Sequence, residues 1–526
     1  MQGRINNHIA ETDTKHAQFL IKNPFSSLSD SSSTTVSRMS SSTAAPRILI
    51  IGAGSRGSAY AWAIKIGTPG TIVGVAEPAE FKRDLFVSKH ALDVSAGLVF
   101  EDWKQMIATE EAREKLKREV DGICVCTLDD THCEIVLALR PLNIHILCEK
   151  PLSTTLDSCV QMCRALNSKE HNPIIFAIGH VLRYSPHNML LRKLLCDDKV
   201  IGDIVNINHT EPVGWWHFSH SYVRGNWRKT STSAPSLLTK CCHDIDLLLW
   251  LLCSPSTDTR PHLPSSISSS GSLVHFKPSQ KPATAGAATN CYSCPAADTD
   301  CIFSAKKIYD ELNLAQGNKG WPVKIVVPEI EEAPSIADAQ RMLKIALEAD
   351  YITDKEQDDK SYYGRCVYEA GNDVVDNQVV TMTWDDDGPA GRGAKTATLT
   401  MIAFSKRICE RFTRVYGTLG EVEADSNTII VHDFKTGQSK TYRPWVDMVS
   451  GHGGGDGGLV GAFVRAIVKV GDGWTVEEVQ NKVVGVTVDD VLRSHAAVFA
   501  AEEARLGRKV VDWDEWWNRE VGQAAE

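Results

Sequence analysis

The sequence predicts an α/β fold, with a doubly wound parallel sheet on the N-terminal side and a second α/β domain after it. Three observations predict it. The chain of 526 residues, 43% hydrophobic and 23% charged, is too long for one hydrophobic core and too apolar to be disordered throughout. Its first apolar run leads at once into a glycine loop and a helix-type segment. Strand-type and helix-type segments then alternate as far as Cys148, and a strand-rich second half follows.

Taken in order, residues 1–46 include SSLSDSSSTTVSRMSSST, show no period of either kind and read as a disordered Ser/Thr-rich tail. Glu11, Asp13 and Asp30 do not suit a basic, acid-poor presequence, and Met39 offers an alternative start. Residues 47–51 (RILII) form the first expected strand, followed by Gly52-Ala53-Gly54-Ser55-Arg56-Gly57 and a helix to Gly67. Each glycine has a task in a dinucleotide fingerprint: Gly52 makes the tight turn, Gly54 lets the main chain approach a pyrophosphate, and Gly57 lets the helix pack on the strand. Free amides and the helix dipole then face the phosphates, with Ser55 and Arg56 in the same loop.

The second strand, 71–76 (TIVGVA), ends at Glu77, about 20 residues past the last glycine, where a carboxylate accepts the ribose hydroxyls and repels a 2′-phosphate. NAD is therefore favoured, with NADP possible through Arg56, which reads equally as a solvated loop side chain. Further segments follow: a strand at 98–100, a helix over 101–120, a strand at 121–127, a helix at 131–139 and a strand at 144–148. In such sheets ligands bind beyond the carboxyl ends of the strands, where the glycine loop, Glu77, Thr127 to His132 and Glu149-Lys150-Pro151 all fall. Thr127 and His132 are expected to line the nicotinamide side, Glu149 to join the cofactor contacts, and Asp129 and Asp130 to supply turn chemistry.

These expectations set domains at 47–172, the NAD-binding domain, and 173–526. The second carries strand-type stretches at 204–211, 323–328, 377–384, 397–404, 412–416 and 429–432, and a Ser/Pro/Thr-rich surface excursion at 254–290. The GHGGGDGG run at 451–458 reads as a flexible loop, able to close over substrate, ahead of a helix at 459–470. A last helix at 488–506 is stopped by Gly507.

Composition narrows the partners. Lys+Arg 56 against Asp+Glu 66 gives a net charge of -10 without a sustained basic run, which argues against a nucleic acid partner. No window has the roughly 18 uninterrupted apolar residues of a membrane span. Fifteen scattered cysteines suit a reducing, cytoplasmic setting. Cys291, Cys294 and Cys301 follow a C-x2-C-x6-C spacing that Cys241, Cys242 or His243 would complete as a zinc site; isolated thiols and no metal are the favoured reading.

GAGSRG, a strand ending in TLDDTH and a later one ending in CEKP together resemble the Gfo/Idh/MocA family of glucose-fructose oxidoreductase and inositol dehydrogenase. The likeness continues through GHVLRYSPHN, GDIVNINHTEPVGWWH, YVRGNWR, KCCHDIDLLLW and VYGTLGEVEAD. It implies a Rossmann domain followed by an α/β domain whose large, mostly antiparallel open sheet forms a homo-oligomer interface. It also implies that Lys150 is the catalytic lysine and His243 the histidine of an Asp-x-x-x-His pair. Here the sequence departs from the family, because Thr239 occupies the aspartate position and Lys240 stands beside it.

The chemistry of both side chains agrees with that assignment. Oxidising a secondary alcohol needs a proton acceptor near neutral pH, which suits His243, and a hydroxyl-orienting cation or proton relay, which suits Lys150; the two roles can also be exchanged. Arg183, Tyr184 and Lys240 are expected at the substrate, and Trp215, Trp216 and His217 form either a sugar-stacking wall or ordinary packing. Asp246 reads as structural or as orienting His243. The function expected is an NAD(P)-dependent oxidoreductase acting on a secondary hydroxyl of a sugar, cyclitol or related polyol. A glycoside-cleaving enzyme with transiently used, tightly bound NAD and a non-catalytic NAD-binding regulator are the alternatives.

Overall fold

The computed structural model describes residues 45–253, 260–348, 361–445 and 451–522. The expected tail therefore lies almost wholly outside the described residues. Six strands form the first sheet: β1 (Arg47–Ile51), β2 (Thr71–Ala76), β3 (Val99–Phe100), β4 (Gly122–Val125), β5 (His145–Cys148) and β6 (Phe176–Ile178). They run parallel in the order β3-β2-β1-β4-β5-β6. Ile48 to Ile51 and Ile123 to Val125 are buried because helices cover both faces.

Register brings the strand ends together. Ile51 pairs with both Ala76 and Val125, Val125 with Cys148, and Cys148 with Ile178. The residues that follow, namely Gly52, Glu77, Thr127, Lys150 and Gly179, therefore leave the sheet along one edge. Thr109, whose hydroxyl accepts from Ala112 N, divides the expected 101–120 helix into Trp103–Met106 and Glu110–Glu119.

The second sheet has nine strands in the order β14-β13-β12-β11-β7-β10-β9-β8-β15. These are β7 (Ile204–Pro212), β8 (Ser266–Ser272), β9 (Asn377–Trp384), β10 (Lys395–Ile402), β11 (Phe412–Gly417), β12 (Gly420–Ala424), β13 (Ile429–Asp433), β14 (Ser439–Tyr442) and β15 (Val510–Asp512). Only β7 and β10 pair in parallel. One face carries Ile207, Val380, Met382, Leu399 and Val415 against the Ser236–Leu252 and Val488–Gly507 helices. The other is uncovered and rich in Thr and Asn, as expected for an open antiparallel sheet.

Several expectations change. The boundary at 173 falls before β6, which belongs to the first sheet, and the Gly455–Gly471 helix returns from the C-terminal part to pack on the Ser55–Gly67 helix. The expected excursion at 254–290 contains β8; its serines hid the strand because Ile267 is its one fully buried apolar side chain. Residues 323–328 form a helical turn, Val323–Val326, since a short apolar run does not reveal its period. The glycine run at 451–458 is no loose loop. A Cβ at Gly455 or Gly458 would stand 2.4 Å from the Val181 or Tyr184 carbonyl oxygen, so these glycines let the helix seat against that turn. The last helix includes Gly507 and is capped by Arg508 at φ 51. No helix among the described residues is long and apolar enough to cross a membrane.

Candidate active site

The glycine loop has the shape its spacing predicts. Gly52 sits at φ +91 with Cys126 O 2.6 Å from where a Cβ would be, and a Cβ on Gly57 would lie 1.9 Å from Gly52 O. Gly54 has nothing within 4 Å of its Cβ position, so the protein leaves open the space a pyrophosphate needs. The Ser55–Gly67 helix carries no side-chain cap at its N-terminus, which keeps its first amides available to an anion; Ser55 is exposed there. Glu77 accepts from Ala53 N at 2.8 Å and Ala79 N at 3.0 Å, one bond on each oxygen, and each oxygen keeps a lone pair. The loop, helix and carboxylate fit a dinucleotide.

Arg56 takes neither expected role. Its Nε donates to Glu149 Oε1 at 2.7 Å, and its two terminal nitrogens donate to Asp456 at 2.9 and 3.0 Å. The guanidinium thus ties the glycine loop to the Lys150 turn and to the returning helix. Glu149 completes the tie by accepting from Lys150 N through Oε2. Burial acts to raise the Glu149 carboxyl, but Arg56, Tyr60 and Lys150 together outweigh it and hold the group below the usual carboxylate range. Glu149 thus braces the glycine loop against the Lys150 turn. His132 acts likewise: its ring is buried, with Nδ1 2.8 Å from Pro151 O and Nε2 3.3 Å from Thr127 O, so it buckles two turns together. Thr127 stays half-buried at the crevice, its hydroxyl accepting from Thr131.

Lys150 leaves β5 and reaches the other half of the molecule. Its Nζ donates to Thr239 O at 2.5 Å, one turn before His243 on the Ser236–Leu252 helix, and its charge acts on the His243 ring. His243 is buried. Nε2 lies 2.8 Å from Arg411 Nη2 and 3.2 Å from Asp244 Oδ2, while Nδ1 has no protein partner. Burial, helped by Arg411 and Lys150, lowers its pKa well below the ordinary imidazole value despite Asp244. The ring is neutral at pH 7.

Behind it lies a dense ionic layer. Arg411 Nε is 2.9 Å from Asp244 Oδ1 and 2.8 Å from Glu211 Oε2, and His209 Nε2 is 3.0 Å from Asp244 Oδ1. Lys240, expected at the substrate, is buried in this layer instead, 3.2 Å from Glu211 and 2.9 Å from Cys409 Sγ. Arg183 and Tyr184 also turn away from the site. Arg183 grips Asp246 with two bonds of 2.6 and 2.8 Å, and Tyr184 donates to Val484 O. Asp246, also 3.1 Å from His180, thus does not orient His243. Trp216 packs 5.0 Å from Trp321, and its neighbour His217 faces inward, where burial, Lys240 and Lys150 lower its pKa.

Two residues gain importance from the structure. Asp129, read as turn chemistry, accepts from Trp227 Nε1 at 2.7 Å, a bond between the two halves. Burial raises its carboxyl above the ordinary value against the pull of His132 and Lys150. The Asp129-Asp130 pair was the only local signal, and nothing in the sequence joins it to Trp227. Arg411 escaped notice because it stands one residue before β11, outside any motif.

Comparisons with known proteins bear on this geometry. Residues 46–175 match the family model described as the GFO_IDH_MocA oxidoreductase family, NAD-binding Rossmann fold. Similar curated proteins include 2,7-anhydro-N-acetylneuraminate hydratase of Escherichia coli K12, 30% identical over 25% of this chain and 34% of that protein. Inositol 2-dehydrogenase 2 of Saccharopolyspora erythraea is 29% identical over 28% of this chain and 39% of its own. The matched segment thus spans little more than a third of these relatives. Levoglucosan dehydrogenase, solved with NADH and levoglucosan, shares the fold over 89% of this chain and 99% of its own, with a TM-score of 0.56 and 14% identity. Myo-inositol 2-dehydrogenase of Lactobacillus plantarum does so over the same shares, with a TM-score of 0.53 and 16% identity. The family match thus covers the nucleotide-binding segment that carries the glycine loop, Glu77 and Lys150.

Proposed function

We propose that the protein is an NAD-dependent dehydrogenase that oxidises a secondary hydroxyl of a sugar, cyclitol or related polyol. The observation that carries this reading is the meeting of Lys150, from the nucleotide-binding half, with the helix that bears His243. NAD, when bound, supplies the hydride acceptor. The chain's own groups handle the proton and the charge. His243 presents Nδ1 on its unpartnered side; because Nε2 accepts from Arg411 Nη2, the neutral ring carries its hydrogen at Nδ1 and donates it to the substrate oxygen. Lys150 Nζ, held at Thr239 O, takes the hydroxyl proton as the hydride leaves the carbon. Asp129 stands within electrostatic reach of Lys150 and supplies a carboxylate to a site whose family aspartate is replaced by Thr239. Thr127 is assigned to the nicotinamide side, and His217 takes the place of Trp216 as the aromatic wall toward substrate.

Glu77 favours NAD over NADP, since a 2′-phosphate would meet its carboxylate while Arg56 is committed to Glu149 and Asp456. The uncovered face of the nine-stranded sheet, with Val379 and Phe412 exposed, suits a homo-oligomer; light scattering of the eluted protein checks this, and a monomer at micromolar concentration would reject it. A panel of sugars and polyols monitored for NADH tests the activity. Net NADH with one of them, lost in Lys150→Ala, is expected; turnover without net NADH, or activity equal to wild type in the variant, defeats the reading.

A further inference from the structure

The thiols at 291, 294 and 301 find a fourth partner in the fold. Cys241, Cys242 and His243 lie on the Ser236–Leu252 helix, and His243 is engaged by Arg411 and Asp244. Cys366 comes instead, from a segment 65 positions further along the chain than Cys301. An isolated bridge between Asn290 and Arg365, with Cys291 N donating to Gly364 O at 2.9 Å and Cys366 N to Thr289 O at 2.7 Å, sets Cys291 and Cys366 on two paired segments of chain. Turns with Ala297 N donating to Cys294 O and Cys301 N to Ala296 O fold the other two back toward them. All four cysteines line one cavity, together with Arg224.

Arg224 is a second, independent sign of a ligand. It is fully buried, and its Nη1 has no hydrogen-bond partner. Its Nε donates to Arg365 O at 2.8 Å and its Nη2 to Phe303 O at 2.7 Å and Cys291 Sγ at 3.4 Å, and Ala305 N donates to the same sulfur at 3.3 Å. These partners satisfy two of its nitrogens but bring no negative charge, whereas four thiolates around a divalent ion carry two negative charges that would balance the buried cation. The surroundings also need a cross-link. Ile308, Tyr309, Leu314, Val323, Ile330 and Leu343 form a small core separate from the main one, held largely by turns and single helical turns. A core of that size is hard to stabilise by apolar burial alone.

We propose that Cys291, Cys294, Cys301 and Cys366 bind one structural zinc ion that fastens this small core. Four thiolates with no open position are the donor set of a closed tetrahedral zinc site. The sulfurs stand around the cavity wall, and side-chain rotation draws them to the ion as it displaces their protons. A different group, His180, Cys242 and His495, already has its ligating atoms within 4.8 Å of one another. Both ring nitrogens of its His495 are already engaged, Nε2 accepting from Leu152 N and Nδ1 bonding Val491 O. The zinc site is independent of the dehydrogenase reading.

Metal analysis of the full chain, purified without chelator, tests the proposal. About one zinc per chain is expected, released when an organomercurial blocks the thiols. Cobalt(II) in its place should give thiolate-to-metal absorption. Cys294→Ser and Cys366→Ser should each lose the metal and lower the melting temperature, while Cys241→Ser keeps it. Wild type without zinc after incubation with zinc salt, stoichiometric iron, a disulfide among these thiols, or full zinc in Cys366→Ser would each overturn the proposal. The wild-type metal count decides the matter even where a variant fails to fold.

Discussion

Lys150 and Thr239 are joined by a hydrogen bond of 2.5 Å from the side-chain nitrogen to the backbone carbonyl, so Thr239 contributes through its main chain. Substituting the Thr239 side chain should then matter less than removing the lysine. Lys150→Ala is expected to lower kcat by about 10²–10⁴-fold, the usual range for a group acting on a proton or a developing charge, while Thr239→Ser stays close to wild type. Steady-state rates on the responding polyol check both. A larger loss in Thr239→Ser than in Lys150→Ala would reverse the assignment.

Asp129→Asn separates the carboxylate from its hydrogen bond, since the amide oxygen still accepts from Trp227 Nε1. If Asp129 supplies charge to Lys150, kcat falls by about tenfold or more and the pH–rate profile shifts, whereas Trp227→Phe mainly raises KM through looser closure of the two halves. Unchanged pH profiles in Asp129→Asn would leave the residue a structural one.

What the sequence revealed followed the range of its local signals. The glycine loop and β1, β2 and β9 stood at their expected positions because backbone turn chemistry and short-range apolar patterning specify them. The geometry of the glycine loop and the place of Glu77 were legible for the same reason. Long polar side chains were harder. Arg56, Arg183 and Lys240 each looked ready for a ligand, and each is consumed by a carboxylate distant in sequence, Asp456, Asp246 and Glu211. Their partners lie 400, 63 and 29 positions away, beyond any periodicity. The serine-rich β8 was missed because its pairing rests on the backbone and on one isoleucine.

Glu77→Ala should reduce the preference for NAD over NADP. Removing the carboxylate abolishes repulsion of a 2′-phosphate and leaves the Ala53 and Ala79 amides free. A change in the ratio of the two dissociation constants of about tenfold, or 1.4 kcal/mol, is expected by titration calorimetry. An unaltered ratio would place the ribose elsewhere.

Asp456→Ala removes the bidentate partner of Arg56 and loosens the tie between the returning helix and the glycine loop. The loss should be about 1.5–3 kcal/mol, as for a hydrogen bond to a charged group, with weaker NAD binding because Arg56 and Glu149 brace the Lys150 turn. Urea unfolding and NAD titration read the two effects. A destabilised variant with unchanged NAD affinity would separate the brace from the cofactor site.

Stability should fall on acidification, and buried histidines set the direction. Burial, aided by neighbouring positive groups, pushes His220 and His495 down to about 3. In the unfolded chain each takes a proton near the ordinary value of about 6.5. Between these limits the unfolded state binds more protons, so the stability present above about pH 6.5 is lost as pH falls toward 3. From pH 6.5 to 4.5 the pair accounts for a loss of about 4 kcal/mol. Urea midpoints at the two pH values measure it, and His220→Gln should remove about half of the difference. Equal midpoints at both pH values would mean that these rings take protons while folded, against the burial that defines their positions.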